Sequence, residues 1–452
     1  MDKPGLPARL AAHRLLSAIV DACTPMDALT DDAHGHPHYL ALDARDRSLV
    51  RAILMAALRH RGDIDRIVAR FTDRPLPEAA KGLRAILHVA FAQILFLDVP
   101  SHSAADLAVD AARADPRSRR FSPLVNALAR RAASEREGLL AEIAREPARA
   151  PAWFAARLEA VYGRQAALAI EACHRLEAPI DLTLADESAR NLAYWAQRLD
   201  ALVLPTGSLR LRQKADIAGL PGFAEGAFWV QDAAAALPVR LFGQIEGGRA
   251  LDLCAAPGGK TAQLAARGAH VTALDISTNR LKRLAANLER VGLEATCETA
   301  NLFDYAPDAP FDLVLLDAPC SSTGTVRRHP DVPWTKSDAD IVKLAGLQAR
   351  MLDRAAEFVA PGGMLVFSNC SLDPREGEDV ASGFVAGNRE FSLVPIDPAA
   401  IGGPDTWATD EGFLRTTPAD LPAERLSARA ESVDPALCGL DGFFAARMVR
   451  NI

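Results

Sequence analysis

From Gly247 onward short apolar runs alternate with helix-length amphipathic stretches, and this alternation limits the fold more than any other feature. Residues 250–253, 271–276, 295–299, 313–317 and 364–367 read as strands, with helical text between most of them. A helix between two strands carries the chain back to the end where it started, so such strands pair in parallel. Residues 246–452 are therefore predicted to form a doubly wound α/β domain. Residues 412–416 and 442–449 have no helix-length pattern clearly assigned between them and are expected to close the sheet as an antiparallel pair.

The first third of the chain has a different period. Leu49, Ile53, Leu54, Ala57 and Leu58, then Leu83, Ile86, Leu87, Ala90 and Phe91, repeat at spacings of three and four. That is the stripe of an amphipathic helix. Breaks at 31–39, 74–77 and around Pro100 divide residues 1–150 into an all-helical bundle with short loops. Between them, residues 151–245 are read as a small α+β connector, with strands near 182–185 and 201–204 flanking a helix at 187–199. Three units suit 452 residues, at about 150 per domain.

A glycine turn follows the first strand of the α/β part: Cys254, Ala255, Ala256, Pro257, Gly258, Gly259 and Lys260, then Thr261 and a helix. Open α/β sheets bind ligands at this edge, and a helix start offers unpaired N–H groups to a carboxylate. The Gly-Lys-Thr ending imitates a phosphate loop. That motif, however, needs glycine where Cys254 stands, and the turn does not spell G-x-G-x-x-G. Asp275 ends the second strand a little over twenty residues on, where an acidic side chain binds ribose hydroxyls. A plain helix cap is the competing reading.

Two further strands end in chemistry-bearing residues. Asp317, Ala318, Pro319 and Cys320 close one, and Ser368, Asn369, Cys370 and Ser371 the other. A lone cysteine at a strand end is usually packing. Two, beside an aspartate and at the edge that carries the glycine turn, point to a thiolate reaction. Carbon 5 of cytosine is such a case: it is a poor nucleophile until a thiolate adds to carbon 6 and makes it enamine-like. Asp317 against N3 and the exocyclic amine would then read the base. Spacing does not say which sulfur attacks.

These motifs, with Arg327-Arg328-His329-Pro330-Asp331, Trp334 and Asp441-Gly442-Phe443-Phe444, resemble the RsmB/NOP family of RNA cytosine-5 methyltransferases. Residues 43–71 resemble the NusB-type helical RNA-binding domain of its bacterial RsmB branch. The resemblance implies a Rossmann-like class I methyltransferase sheet, S-adenosylmethionine as cofactor, and a cytosine of 16S rRNA as substrate. It implies Cys370 as the attacking thiol and Cys320 as the group that assists breakdown of the adduct. Residues 254–260, Asp275, Asn301 and Asp317 are implied to contact the cofactor. The sequence departs from the family pattern at Asn369, where Thr is usual, at Gly377, where Asn is usual, and at Asn301, where an acidic residue is common.

Arg327, Arg328 and His329 follow the Cys320 loop and are candidates to hold RNA phosphates beside a flipped base. The net charge of −7 hides an asymmetry: residues 1–150 carry about +3 and the remainder about −10, which leaves room for a local basic face. His34, His36 and His38 lack acidic or cysteine partners at ligand spacing, so no metal is expected. Trp229 reads equally as cleft lining or as core. The seven cysteines contain no C-x-x-C pair, and no apolar run approaches the roughly 18 residues of a membrane span. A cytoplasmic monomer with no obligate protein partner is expected. Two rivals stand beside this reading: the same chemistry on transfer RNA or another ribosomal site, and a non-catalytic RNA-binding module of the antitermination type.

Overall fold

A computed structural model describes residues 3–77, 80–426 and 433–452. The chain folds into two compact units. One runs up to Leu176 and also takes in Val326–Ser337; the other comprises Glu177–Thr325 and Asp338–Ile452.

The first unit is helical, as the spacing of three and four predicts. Its larger helices include Leu6–Ala22, Ala44–Arg59, Arg61–Phe71, Lys81–Phe96, Ser101–Ala114 and Ser122–Ser134. Asp43 caps Ala44–Arg59 by accepting from the Asp46 N–H at 2.7 Å, which satisfies a donor left unpaired at the helix start. Lys81–Phe96 is apolar on nearly every side, and Leu83, Ile86, Leu87, Ala90, Phe91 and Ile94 are all buried in the helical core. Pro100, which cannot continue a helix from within, caps the next one. Helix Ala152–His174, expected in the connector, belongs to this unit, as Leu176 is the point of division.

Val326–Ser337 is the unpredicted part of this unit. Arg59 donates to the Arg327 carbonyl at 2.8 Å, Met26 N–H to Asp331 Oδ2 at 3.0 Å, and the Trp153 indole to the Pro333 carbonyl at 3.0 Å. The Arg61 guanidinium lies over the Trp334 ring, 5.2 Å from its centroid.

In the second unit, β1 (Asp181–Leu184), β2 (Ala201–Val203), β3 (Leu209–Leu211) and β4 (Phe228–Val230) form an antiparallel sheet in the order β2-β3-β1-β4. The first two match the strands expected near 182–185 and 201–204; β3 and β4 were not anticipated. Arg210 on β3 pairs both oxygens of Asp181 on β1 at 2.7 Å, and both side chains are fully buried. A buried pair of this geometry fixes register more than it adds stability.

The large sheet contains β5 (Arg249–Leu253), β6 (His270–Asp275), β7 (Thr296–Thr299), β8 (Phe311–Asp317), β9 (Val359–Asn369), β10 (Phe391–Leu393), β11 (Leu414–Thr416) and β12 (Phe443–Arg450). Its order is β10-β12-β9-β8-β5-β6-β7, with β11 also paired to β12. Strands β5 to β9 are mutually parallel, and β12 runs antiparallel to β9, β10 and β11. The expected closing pair is thus β11 with β12. Alternate residues face opposite layers: Leu251, Leu253, Val314, Leu316 and Phe367 pack into one core, and Ala250, Leu313, Leu315 and Val366 into the other. Both faces are covered, as a parallel sheet requires. Among the described residues no helix is long and apolar enough to cross a membrane.

Candidate active site

Register decides what meets at the sheet edge. Leu253 on β5 pairs with Leu316 on β8, and Asp317 on β8 with Ser368 on β9. In-register parallel strands end level with one another. The strand ends and the loops beyond them therefore lie side by side: Cys370 after β9, Asp317 at the end of β8 and Cys320 beyond it, the glycine turn after β5, Asp275 at the end of β6 and Asn301 beyond β7.

The glycine turn is shaped by its backbone. Cys254 and Gly258 both have positive φ, 62° and 104°. Gly258 caps helix Gly259–Ala266, and a Cβ there would lie 2.6 Å from Leu284 Cγ. Only glycine fits such a close approach at that φ. Burial pushes the Cys254 thiol up to about 12, so it stays protonated. Trp229 is 2 % exposed and packs beneath Ala255 and Ala256; its indole donates to Gln231 Oε1 at 2.8 Å. It is core under the turn, not cleft lining.

Asp275 is buried and ties the turn to the next strand. Its carboxylate accepts from the Ala256 N–H at 3.2 Å and the Ser277 N–H at 2.9 Å, and Arg280 Nη1 lies 3.3 Å away. The helix that follows, Thr278–Val291, is capped by Ser277, so the cap reading of Asp275 does not describe the structure. Asn301 is exposed, and its Oδ1 accepts from the Phe303 N–H at 3.1 Å. In that orientation its carbonyl already serves a local turn.

Asp317 is held on both oxygens. Lys260 Nζ donates to Oδ2 at 2.7 Å and Ser368 Oγ to Oδ1 at 2.9 Å. The Lys260 side chain thus reaches from the glycine turn to the end of β8, a pairing that no spacing rule suggested.

The two predicted cysteines come together. Their sulfurs are 3.4 Å apart, in hydrogen-bond range for thiols. The hydrogen bond to Cys370 is the first cause that holds the Cys320 thiol well above its ordinary pKa, followed by burial and the charge of Cys370.

A buried network that the sequence reading missed holds these loops. Asn369 Nδ2 donates to the Glu376 carbonyl at 2.7 Å, while its Oδ1 accepts from the Ser371 N–H at 2.9 Å. The departure at Asn369 therefore clamps both sides of the Cys370 loop. Gly324 donates to the Cys370 carbonyl and accepts from Gly442, each at 2.9 Å, and a Cβ on Gly324 would fall 2.1 Å from the Gly442 oxygen. The departure at Gly377 has a reason too: a Cβ there would meet the Phe444 ring at 2.7 Å and Arg415 Nη2 at 2.8 Å.

Arg327 does not fit its expected role. It is 1 % exposed, within the segment held by the helical unit, and a guanidinium so buried does not reach solvent phosphates. Arg328 and His329 are partly exposed, and His329 Nδ1 lies 3.6 Å from Asp27 Oδ2. Among the histidines of the early loop, His36 caps a short helix by accepting from the His38 N–H at 3.2 Å.

Comparison with known proteins agrees with this geometry. Residues 241–449 match the family model described as 16S rRNA methyltransferase RsmB/F, and residues 6–134 match the NusB family. Ribosomal RNA small subunit methyltransferase B of Xylella fastidiosa is 36 % identical over 99 % of this chain and 99 % of its own length. The protein of the same name from Xanthomonas campestris is 36 % identical over 87 % of this chain and 90 % of its own. A solved methyltransferase homologue from Pyrococcus horikoshii superposes on 66 % of this chain and 94 % of its own, with TM-score 0.52 and 25 % identity. A turn, a carboxylate and two adjoining thiols on one sheet edge, together with a full-length match, place this chain in the RsmB/F family of 16S rRNA methyltransferases, with a NusB-family domain at its N-terminal end.

Proposed function

We propose that this chain methylates carbon 5 of a cytosine in 16S rRNA, with Cys370 as covalent nucleophile and Cys320 as the group that releases the product. The observation that carries the reading is the pair of sulfurs 3.4 Å apart beside Asp317, on the edge that also presents the glycine turn. Names of relatives that span nearly the whole chain supply the substrate.

S-adenosylmethionine fits the residues present and supplies the methyl group as a sulfonium. The start of helix Gly259–Ala266 offers N–H groups to its carboxylate, the left-handed turn at Gly258 lets the backbone come close, and Asp275 stands where ribose hydroxyls are bound.

The chain's own groups then divide the work. The Cys370 thiolate adds to carbon 6, and the electron pair moves into the ring toward N3 and carbon 5. Asp317, aimed by Lys260 and Ser368, accepts from the exocyclic amine and so favours cytosine. After carbon 5 takes the methyl, its hydrogen must leave as a proton before the carbon–sulfur bond can break. In its thiolate form Cys320, whose sulfur is 3.4 Å from that of Cys370, takes that proton; the carbon–hydrogen pair re-forms the carbon 5–carbon 6 double bond, and the carbon–sulfur pair returns to Cys370 Sγ. Arg328 and His329 remain candidates to hold the adjoining phosphates.

The cytoplasm, where ribosomal RNA is assembled, is the compartment that suits this substrate. Tritiated S-adenosylmethionine with unmodified 16S rRNA should label a cytosine, and bisulfite sequencing should show one methyl missing from cells that lack the gene. Label on transfer RNA alone, or no label at all, would favour the rivals.

A further inference from the structure

Strand register brings the two thiol loops to the same edge, but both sulfurs lie beyond the paired positions, Cys370 just past Asn369 and Cys320 three residues past Asp317. Something else must hold those residues. Ser321 follows Cys320, and Ser371 follows Cys370. One carboxylate reaches both. Glu376 Oε1 accepts from the Ser321 N–H at 2.8 Å and Gln348 Nε2 at 3.1 Å, while Oε2 accepts from Ser321 Oγ and from Ser371 Oγ at 2.6 Å. Glu376 is fully buried. Burying a carboxylate costs several kcal/mol unless donors surround it, and here four do. A networked charge of this kind narrows the geometry of everything bonded to it.

We propose that Glu376 is a positioning residue which, through Ser321 and Ser371, sets the spacing of the Cys320 and Cys370 sulfurs so that both act on one base. This rests on the reading of the two thiols as the reacting pair. Glu376 touches neither substrate nor cofactor in this role. An error of about 1 Å in the placement of reacting groups lowers rates about a hundredfold, and that sets the expected effect.

The test uses the full chain and two readouts. The first is methyl transfer, with the dissociation constant for S-adenosylhomocysteine measured alongside. The second is the rate at which diamide, a diazene that takes up the two thiol hydrogens, joins Cys320 to Cys370, followed by mass spectrometry of the linked peptide. Glu376→Ala should lower kcat about a hundredfold, leave the dissociation constant within about twofold, and slow disulfide formation at least about tenfold. Glu376→Gln can still accept on one atom and donate to the two hydroxyls from the other, so it should recover most of both rates. Should Glu376→Ala fail to fold, Ser371→Ala removes the link on the Cys370 loop alone and should slow both reactions in the same sense. An unchanged disulfide rate in either of these variants overturns the proposal, as does a loss of cofactor binding in step with kcat. If instead Cys370→Ala remains active, the reading of the thiols fails, while the disulfide rates still report whether Glu376 sets their spacing.

Discussion

At the glycine turn after β5 the backbone does the shaping: positive φ at Cys254 and Gly258, and no room for a Cβ beside Leu284. At the thiols beyond β8 and β9 buried side chains do it, with Asn369, Ser321, Ser371 and Glu376 joined in one network. The two regions share an edge of the sheet and fail differently. A turn made of backbone should lose ligand affinity when altered, whereas a pair of reactive atoms held by a polar network should lose rate.

The largest effect expected is that of Cys370→Ala, which should lower methyl transfer by more than about a thousandfold and abolish the RNA adduct. Cys320→Ala should instead accumulate an adduct that survives denaturation, visible as a slow-migrating band. Exchange of these outcomes would exchange the two roles, and a matching fall in cofactor affinity would erase the contrast between the regions. At the turn, Gly258→Ala should raise the dissociation constant for S-adenosylmethionine about tenfold or more, because Ala at φ 104° strains the loop that meets the ligand. Calorimetry checks this, and Asp275→Ala should move in the same direction.

Smaller effects sharpen the comparison further. Gly377→Asn, the residue usual in the family, should cost about 1–3 kcal/mol of stability, because the Phe444 ring and Arg415 fill the space. Thermal unfolding reads it, and an unchanged Tm would mean the ring gives way freely. Asp252, one layer below the turn, has its carboxyl pushed up to about 7 by burial, against an ordinary 3.8. The native state therefore prefers its protonated form. Its stabilising contribution is complete below the unfolded value near 3.8 and is lost as pH rises through about 7. Asp252→Asn should flatten the fall in Tm between those limits, and an unaltered slope would assign the dependence to other groups.

Much of this was legible in the sequence, because the legible parts are periodic or local. Strands with the residues of β5, β6 and β8 announce themselves by apolar runs, and the glycine turn by residues that only a close approach requires. Asp317, Cys320 and Cys370 could be placed together because parallel strands of a doubly wound sheet end at one edge. What could not be read depends on contacts across long separations. Lys260 meets Asp317 across two strands, and Glu376 reaches back to Ser321 across 55 positions. Arg327 was read as a phosphate contact because it follows the Cys320 loop; it is 1 % exposed, and its carbonyl accepts from Arg59, 268 residues earlier. Strands β3, β4 and β10, three residues each, were not anticipated.

Because Val326–Ser337 folds with the helices, the polypeptide passes from one half to the other after Leu176, after Thr325 and again after Ser337. No single cut separates the halves. A truncated chain starting at Glu177 would keep Pro333 and Trp334 while losing Trp153 and Arg61, the groups that cover them. A lineage that discarded the helical half would have to rewrite the stretch just downstream of Cys320 as well, so the two halves are inherited together or both are redesigned.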